Sequence, residues 1–570
     1  MEKDLNEKIN KRITVLQGLI TFAYSILIVY LFCIQVLDIN GYKAKGIAMR
    51  STNNLSLRGN ILDRNGFKLA TDELVYEVYA HPTEYSKKRS PEVLAELLSP
   101  VLEIPPKELL AKLKSKKLNI ITLKKEVDRQ AAEKIGKLGL REISIGTINR
   151  RFYPQGNIAS HIVGFYSYLS DNSIGIENIA GDKLGTTVQM PSNQRIQRKA
   201  NGDIIFDFNT DVKNITKKQK GEDITLTLDA SVQYICEKEL EKRIKETKAE
   251  RGAVIVEDVT NGEILAYASY PNFDPNKFWE ASMSDMKNWS LTDIYPPGST
   301  FKIITVATAL DLGVLNEYSR VPDTGKMTID KFTIKNHDIK DHPNPGMISL
   351  DYLFEHSSNV GAANIALMLD KEAYYNKLYD FGFGQKTGID LTAESIGLLP
   401  KPKSWYKSRQ ASMGYGYGAS VTAIQMISAI SAIANNGVWT TPHVIKYSAE
   451  ELPNHVQTRQ VISPQTAHSV TRLLAKSISN GKTPLNLDKY TTCAKTGTSR
   501  KQVTSGAAVY TSAIGYFPAT SPKIAIYVVI DSPKTGVDFG GTIASPLFNK
   551  IATEVGTLLN IPSDKAVKND

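Results

Sequence analysis

The sequence predicts an α+β chain whose late domain is an antiparallel sheet backed by helices, with a helical segment inserted between its strands. Two short apolar runs, residues 253–257 and 263–268, flank Thr260-Asn261-Gly262, which reads as a hairpin turn. Residues 508–517 and 523–531 read as two further strands far along the chain, and helical stretches fill the interval. At 570 residues the chain exceeds one ordinary core, so two or more domains are expected.

Taken in order, residues 13–37 contain no charged side chain. A helix rising 1.5 Å per residue spans about 37 Å over that length, enough to cross a bilayer core of about 30 Å with some tilt. The run is too long for a signal-peptide apolar region and no small-x-small cleavage site follows it, so an uncleaved anchor is expected after a cytoplasmic tail at 1–12. Lys3, Lys8, Lys11 and Arg12 precede the run while Lys43, Lys45 and Arg50 follow it, so charge alone orients it weakly. Asn65-Gly66 is a hairpin signal. Ser90-Pro91 and Pro105-Pro106 open two helices, the first expected through Leu98. A mixed region runs to about residue 220. Residues 224–228 then alternate like a strand, and Asp229 caps a helix with Val232, Cys236, Leu240 and Ile244 on one face. The expected division is a first domain at 38–220, a second at 221–560 and a tail at 561–570.

Lysine and arginine number 69 against 59 acidic residues, a net charge of +10. Nucleic acid, anionic lipid and an anionic wall polymer are all compatible with that excess. No basic cluster is interleaved with aromatics and no zinc or helix-turn-helix pattern occurs, which disfavours nucleic acid. Three cysteines, Cys33, Cys236 and Cys493, cannot form a disulfide framework.

The stretch Tyr295-Pro296-Pro297-Gly298-Ser299-Thr300-Phe301-Lys302 stops what precedes it and opens an apolar helical run that ends at Gly313. Ser299 is expected in the first turn, with Lys302 on the same face. A hydroxyl and an amine held together in a core are a candidate nucleophile and base. Ser-x-x-Lys recurs at Ser284, Ser404 and Ser479, without the break before or the apolar helix after. A second polar cluster, Ser357-Ser358-Asn359, follows a helix expected at 351–354; Ser170-Asp171-Asn172 and Tyr374-Tyr375-Asn376 share the pattern in less suitable places. Lys-Thr-Gly occurs three times. The copies at Lys386 and Lys534 read as loops, whereas Lys495-Thr496-Gly497-Thr498-Ser499 ends a strand expected at 490–494. A lysine, hydroxyls and a glycine on a sheet edge suit the docking of an extended peptide. His337-Asp338 and Asp341-His342, crowded by Pro343, Pro345 and Gly346, read as a solvated loop, so no metal is expected.

Ser299-Thr300-Phe301-Lys302, Ser357-Ser358-Asn359 and Lys495-Thr496-Gly497, in this order, resemble the three motifs of the penicillin-binding proteins and serine β-lactamases. Residues Arg58-Gly59-Asn60-Ile61-Leu62-Asp63-Arg64-Asn65-Gly66 and Arg151-Phe152-Tyr153-Pro154 resemble the N-terminal pedestal, or dimerisation-type domain, of class B penicillin-binding proteins. Within that class, Ser357-Ser358-Asn359-Val360-Gly361 and Phe381-Gly382-Phe383-Gly384 resemble the cell-division type, and Tyr295-Pro296-Pro297-Gly298 the elongation type. Division is favoured.

The resemblance implies a membrane helix, an α/β pedestal and a transpeptidase domain with helices on both sides of its sheet plus an all-helical subdomain. It implies cross-linking of peptidoglycan stem peptides that end in D-Ala-D-Ala, covalent binding of β-lactam antibiotics, and no cofactor. Ser299 would be the nucleophile, Lys302 the base and Ser357 a proton relay. Asn359, Lys495, Thr496, Gly497 and Thr498 would bind substrate, with the amides of Ser299 and Thr498 as the oxyanion hole. Implied partners are inner-membrane lipid, a membrane glycan polymerase and other cell-division proteins, with the catalytic domain outside the cytoplasm. Arg58, Asp63, Arg64, Arg151 and Glu177 are expected to form ion pairs and turns. A β-lactamase would share the motifs, but no clear Glu-x-x-x-Asn loop serving its deacylation step is seen between Asn359 and Lys495. An antibiotic sensor would need a cytoplasmic effector domain, for which residues 1–12 leave no room. A silent scaffold would not need the complete motif set.

Overall fold

In the computed structural model the described residues are 57–115, 120–168, 172–185, 220–481, 483–501 and 508–565, with five positions between 17 and 25. The apolar run at 13–37 lies outside them apart from those five. Among the described residues no helix is long and apolar enough to cross a membrane. The chain forms two compact units, and they interleave along the sequence. One holds Leu74–Arg150 with flanking segments; the other gathers Arg58–Glu73, Arg151–Gly185 and Gly221–Asp570.

In the first unit, helices Pro91–Leu102 and Pro106–Leu113 pack near strand Ile121–Val127 around Leu94, Leu98, Leu109 and Leu123. Both begin at the expected prolines, whose missing N–H falls where a helix has no internal acceptor to offer. The first runs past Leu98, continues through Pro100 and ends at Glu103, which adopts φ 54°.

The second unit is organised by a five-stranded antiparallel sheet in the order Cys493–Lys501, Ala508–Phe517, Ile524–Asp531, Arg251–Asp258 and Ile264–Tyr270. The hairpin at Thr260-Asn261-Gly262 forms, with Val254 opposite Ala268. Both faces of the sheet are apolar, so each needs a helical cover. Ala230–Thr247, capped by Asp229, and Gly540–Leu558 bury Val232, Cys236, Leu240, Ile543 and Phe548 against Val254, Val256 and Val528 on one side. Ala423–Ala434, buried at every position, covers Ile255, Val529 and Ile514 on the other. Helices on both sides of the sheet thus match expectation.

Three details differ. The strand expected at 224–228 shrinks to Ile224–Thr225, parallel to Ile61–Leu62, because Leu226 pairs instead with Ile445. The insert is not all-helical: Arg320–Asp323 pairs with Gly346–Ser349, and Lys326–Ile329 with Phe332–Lys335. The second ribbon turns at Asp330, which takes φ 54°, a left-handed conformation that aspartate tolerates. Finally, the strand carrying the third motif is Cys493–Lys501, so Lys495-Thr496-Gly497 lies within it rather than after it.

Candidate active site

Ser299 sits in a tight 3-10 turn, Gly298–Phe301, which leads into the α-helix Lys302–Asp311. The expected first α-turn is therefore wound more tightly. Gly298 at φ 59° and a hydrogen bond from the Thr300 hydroxyl to the Pro297 carbonyl (2.8 Å) set that turn. In a 3-10 turn, side chains three apart eclipse one another, and Lys302 Nζ lies 3.0 Å from Ser299 Oγ. The helix is buried from Lys302 through Ala309, which explains why the sequence shows no polar face.

Lys302 is fully buried at 0% exposure. Its Nζ donates to the Ser357 carbonyl at 2.6 Å and to Asn359 Oδ1 at 2.8 Å, and lies 3.1 Å from Ser357 Oγ. Burial, and then the Lys495 charge, hold its pKa well below the usual lysine value, against the opposing pull of Asp323 and Asp338. Burial disfavours the ammonium because the charged form loses its hydration. A fraction of Lys302 is thereby available as a neutral amine whose lone pair can accept the Ser299 proton. Lys495, 4% exposed, is pushed down to about 8 by burial.

Ser357 adopts φ 53°, a left-handed conformation unusual for serine. Ser358 caps the helix Asn359–Met368 by accepting from Gly361 N at 2.8 Å. The cluster is held by two residues that the sequence reading passed over. Asn336 Oδ1 accepts from Asn359 N (2.9 Å) and Val360 N (3.0 Å), while its Nδ2 donates to both oxygens of Asp323 at 2.9 Å. Ser358 Oγ donates to Asp323 Oδ2 at 2.5 Å. Both are buried polar residues flanking the ribbon Lys326–Ile329/Phe332–Lys335. A polar side chain ending each short apolar run was the available signal, but local spacing does not point it at Asn359.

The edge strand comes next. Thr496 pairs with Ala513 and Thr498 with Thr511. Alternate residues of a strand face opposite ways. Ser499 Oγ donates to the Pro296 carbonyl (2.6 Å), and a Cβ on Gly497 would meet Thr300 at 3.0 Å, so Lys495, Gly497 and Ser499 share the face toward the Ser299 turn. Thr496 and Thr498 occupy the alternate positions, and Thr498 Oγ1 accepts from Gly540 N at 2.9 Å. The structure thus joins Ser299, Lys302, Ser357 and Asn359 in one hydrogen-bonded cluster. It brings Lys495 close enough to act on Lys302 by charge, and sets Thr496 and Thr498 on the neighbouring strand edge.

Four glycines let these segments cross. A Cβ on Gly416 would meet the Gly298 carbonyl at 2.2 Å, and one on Gly540 the Gly497 carbonyl at 2.3 Å. Only hydrogen fits there.

The alternatives to each motif fall elsewhere. Tyr374-Tyr375-Asn376 lies within helix Lys371–Asp380, and the Lys386 and Lys534 copies of Lys-Thr-Gly lie outside strands. Ser170 and Asp171 lie outside the described residues. Arg58 and Arg151 converge on Glu177 at 2.9 and 2.5 Å, and Arg151 also pairs with Asp72 at 2.9 Å. Asp63 ties its own turn through Asn65 N and Phe67 N, and Arg64 pairs with Glu263 at 3.1 Å. All these residues belong to the unit that carries Ser299.

Residues 252–553 match the penicillin-binding protein transpeptidase domain, and residues 53–188 the penicillin-binding protein dimerisation domain. The chain belongs to the penicillin-binding protein transpeptidases. It is 30% identical to the probable peptidoglycan D,D-transpeptidase PenA of Neisseria meningitidis, over 97% of this chain and 93% of that one. It is 28% identical to the peptidoglycan D,D-transpeptidase FtsI of Escherichia coli K12, over 99% and 94%. Penicillin-binding protein 2X of Streptococcus thermophilus shares the fold, with a TM-score of 0.68 at 22% identity over 89% of this chain and 80% of that one. As a penicillin-binding protein transpeptidase, the chain has its serine and asparagine gathered around the buried lysine in one hydrogen-bonded cluster beside a sheet edge.

Proposed function

We propose that the chain is a peptidoglycan D,D-transpeptidase of the cell-division type. The observation that carries this reading is Lys302: fully buried, 3.0 Å from Ser299 Oγ, and bonded to both the Ser357 carbonyl and Asn359. Ser299 Oγ attacks the carbonyl of the penultimate D-alanine as its proton passes to Lys302 Nζ. The tetrahedral oxygen is held by the amides of Ser299 and Thr498, each such donor being worth about 2.7–4 kcal/mol. The carbon–nitrogen bond then breaks, the leaving D-alanine takes a proton through Ser357 Oγ, and a serine ester remains. An amine of a neighbouring stem peptide then attacks that ester and gives up a proton to Lys302 Nζ, and Lys302 passes that proton to Ser299 Oγ as the ester bond breaks. The incoming peptide lies along the edge strand, with Asn359 on its backbone amide. Thr496 and Thr498 take the terminal carboxylate in the positive potential that Lys495 supplies, and Gly497 permits the close approach.

A β-lactam enters the same cycle at the acylation step. A β-lactamase would go on to activate water. Among the described residues no hydrogen bond of Ser299 or Lys302 goes to a carboxylate, which favours a long-lived ester. Residues 13–37 would anchor the chain once through the inner membrane, with the catalytic unit outside the cytoplasm. A glycan polymerase and other division proteins would be its partners.

The test is incubation of the purified chain with a fluorescent penicillin, followed by mapping of the adduct by mass spectrometry and timing of its loss. An adduct on Ser299 that lasts many minutes, and that is absent in Ser299→Ala, is expected. Rapid release of hydrolysed drug would establish a lactamase instead, and an adduct persisting in Ser299→Ala would place the nucleophile elsewhere. Incorporation of a donor stem peptide at the septum rather than the side wall separates the division role from elongation.

A further inference from the structure

The loop between strands Phe332–Lys335 and Gly346–Ser349 reads in the sequence as solvated and free of metal. The structure gathers three of its neighbourhood's side chains. One ligand atom from each of Asp338, His342 and His356 lies within 4.8 Å of the others. Zinc bound to nitrogen and oxygen at about 2.0–2.2 Å sets tetrahedral ligand atoms about 3.4 Å apart, so a contraction of roughly an ångström completes the set. His356 Nδ1 is already 3.2 Å from Asp338 Oδ2.

The arrangement is built by the backbone. The Asp338 carbonyl accepts from Asp341 N at 2.9 Å and from His342 N at 2.8 Å, a turn that folds His342 back over Asp338. The rings of His342 and His356 meet edge to face, with centroids 4.8 Å apart at 84°. Tyr352 stacks on His356 at 3.9 Å and fixes its plane. A plain hydrogen bond between His356 and Asp338 accounts for one carboxylate oxygen only. Asp338 Oδ1 is buried and has no hydrogen-bond partner. A buried carboxylate oxygen without a partner calls for an ion or a water, and no described hydrogen bond engages the His342 ring either.

We propose that Asp338, His342 and His356 bind one zinc ion, with solvent in the fourth position. Two imidazoles and a carboxylate form the borderline nitrogen and oxygen set that zinc favours. The ion pins the loop to His356, the residue joined directly to Ser357. It thereby braces the left-handed backbone that presents the Ser357 carbonyl to Lys302.

The test uses the full chain in detergent, stripped with a chelator and titrated with zinc chloride against a chromophoric zinc indicator. One equivalent is expected to bind, and the melting temperature to rise with it. Asp338→Asn and His342→Ala should each weaken binding at least tenfold and lose the rise. His468→Ala, which removes a distant exposed imidazole bonded to Asn436, should change neither. Cobalt(II) in place of zinc should give the intense visible bands of a four-coordinate site, and His342→Ala should lose them. Absence of stoichiometric binding, or binding by His342→Ala equal to the parent, overturns the proposal. Neither readout involves substrate or antibiotic, so the result stands apart from the transpeptidase reading.

Discussion

Replacing Asn336 by alanine probes how the second motif is held. Asn336 is 4% exposed and its amide makes four hydrogen bonds, two to the Asp323 carboxylate and two from the first amides of the Asn359–Met368 helix. The substitution leaves two backbone N–H groups and a buried carboxylate short of partners. At about 1–3 kcal/mol for each group left unpaired, with partial relief by water entering the gap, folding stability should fall by about 2–4 kcal/mol. Asn359 and Ser357 are the groups released. If half of that loss is felt in the acylation transition state, acylation by penicillin slows about 5- to 30-fold, at 1.36 kcal/mol for each tenfold. Chemical denaturation gives the first quantity and the second-order rate of fluorescent-penicillin labelling the second. Asn336→Asp keeps acceptors for the two amides but sets a second carboxylate against Asp323, so it should be no better than alanine. A folded Asn336→Ala protein that acylates within twofold of the parent would refute the idea that this bracket positions the motif.

Lys495 should make the protein more stable as pH rises. Its folded pKa of about 8 lies below the ordinary lysine value of 10.5, so the unfolded chain binds more protons between those values and stability climbs across that window. Lys495→Gln should flatten the climb in denaturation curves taken at pH 8 and 10. Glu257 works in the opposite sense: burial raises it from 4.5 to about 8, so its contribution is full below the lower value and is lost as pH rises toward the upper one. Glu257→Gln should be the more stable protein at pH 8 and show no such decline. Gly540→Ala should abolish labelling by penicillin, because its new carbon would sit 2.3 Å from the Gly497 carbonyl. Its neighbour Gly541→Ala, with nothing within 4 Å, should gain up to about 1 kcal/mol from helix propensity and label normally.

Much of the site was legible because its parts are local. The break at Pro296-Pro297-Gly298 and the apolar run after it locate the Ser299 turn, and three-residue spacing puts Lys302 beside Ser299. The helix of residues 230–247 was legible from its cap and its buried stripe. What escaped was non-local. Asp323 and Asn336 matter only because two short ribbons bring them beneath residue 359, and such ribbons carry too few residues for a clear period. Lys495-Thr496-Gly497 was placed after its strand because a run of lysine, threonine and glycine lacks apolar alternation. The strand forms anyway, since all nine residues of Cys493–Lys501 pair with Ala508–Phe517. The three residues proposed to hold zinc are split by sequence too: His356 lies beyond the loop that holds the other two.

The crossing glycines bear on how such a protein can change over generations. At positions 298, 416, 497 and 540 a single side-chain carbon would press on another segment, three times against main-chain oxygen. Main chain cannot step aside as a side chain can, so a variant there loses the Ser299 turn and the sheet edge together. Inherited escape from an antibiotic therefore has no gradual route through the centre of the site. The room for adaptation lies at its margin, in side chains such as the 43% exposed Tyr417, whose hydroxyl accepts from Arg500 N. A drug that rests most of its contacts on the glycine crossing would confront the part of this surface least free to evolve.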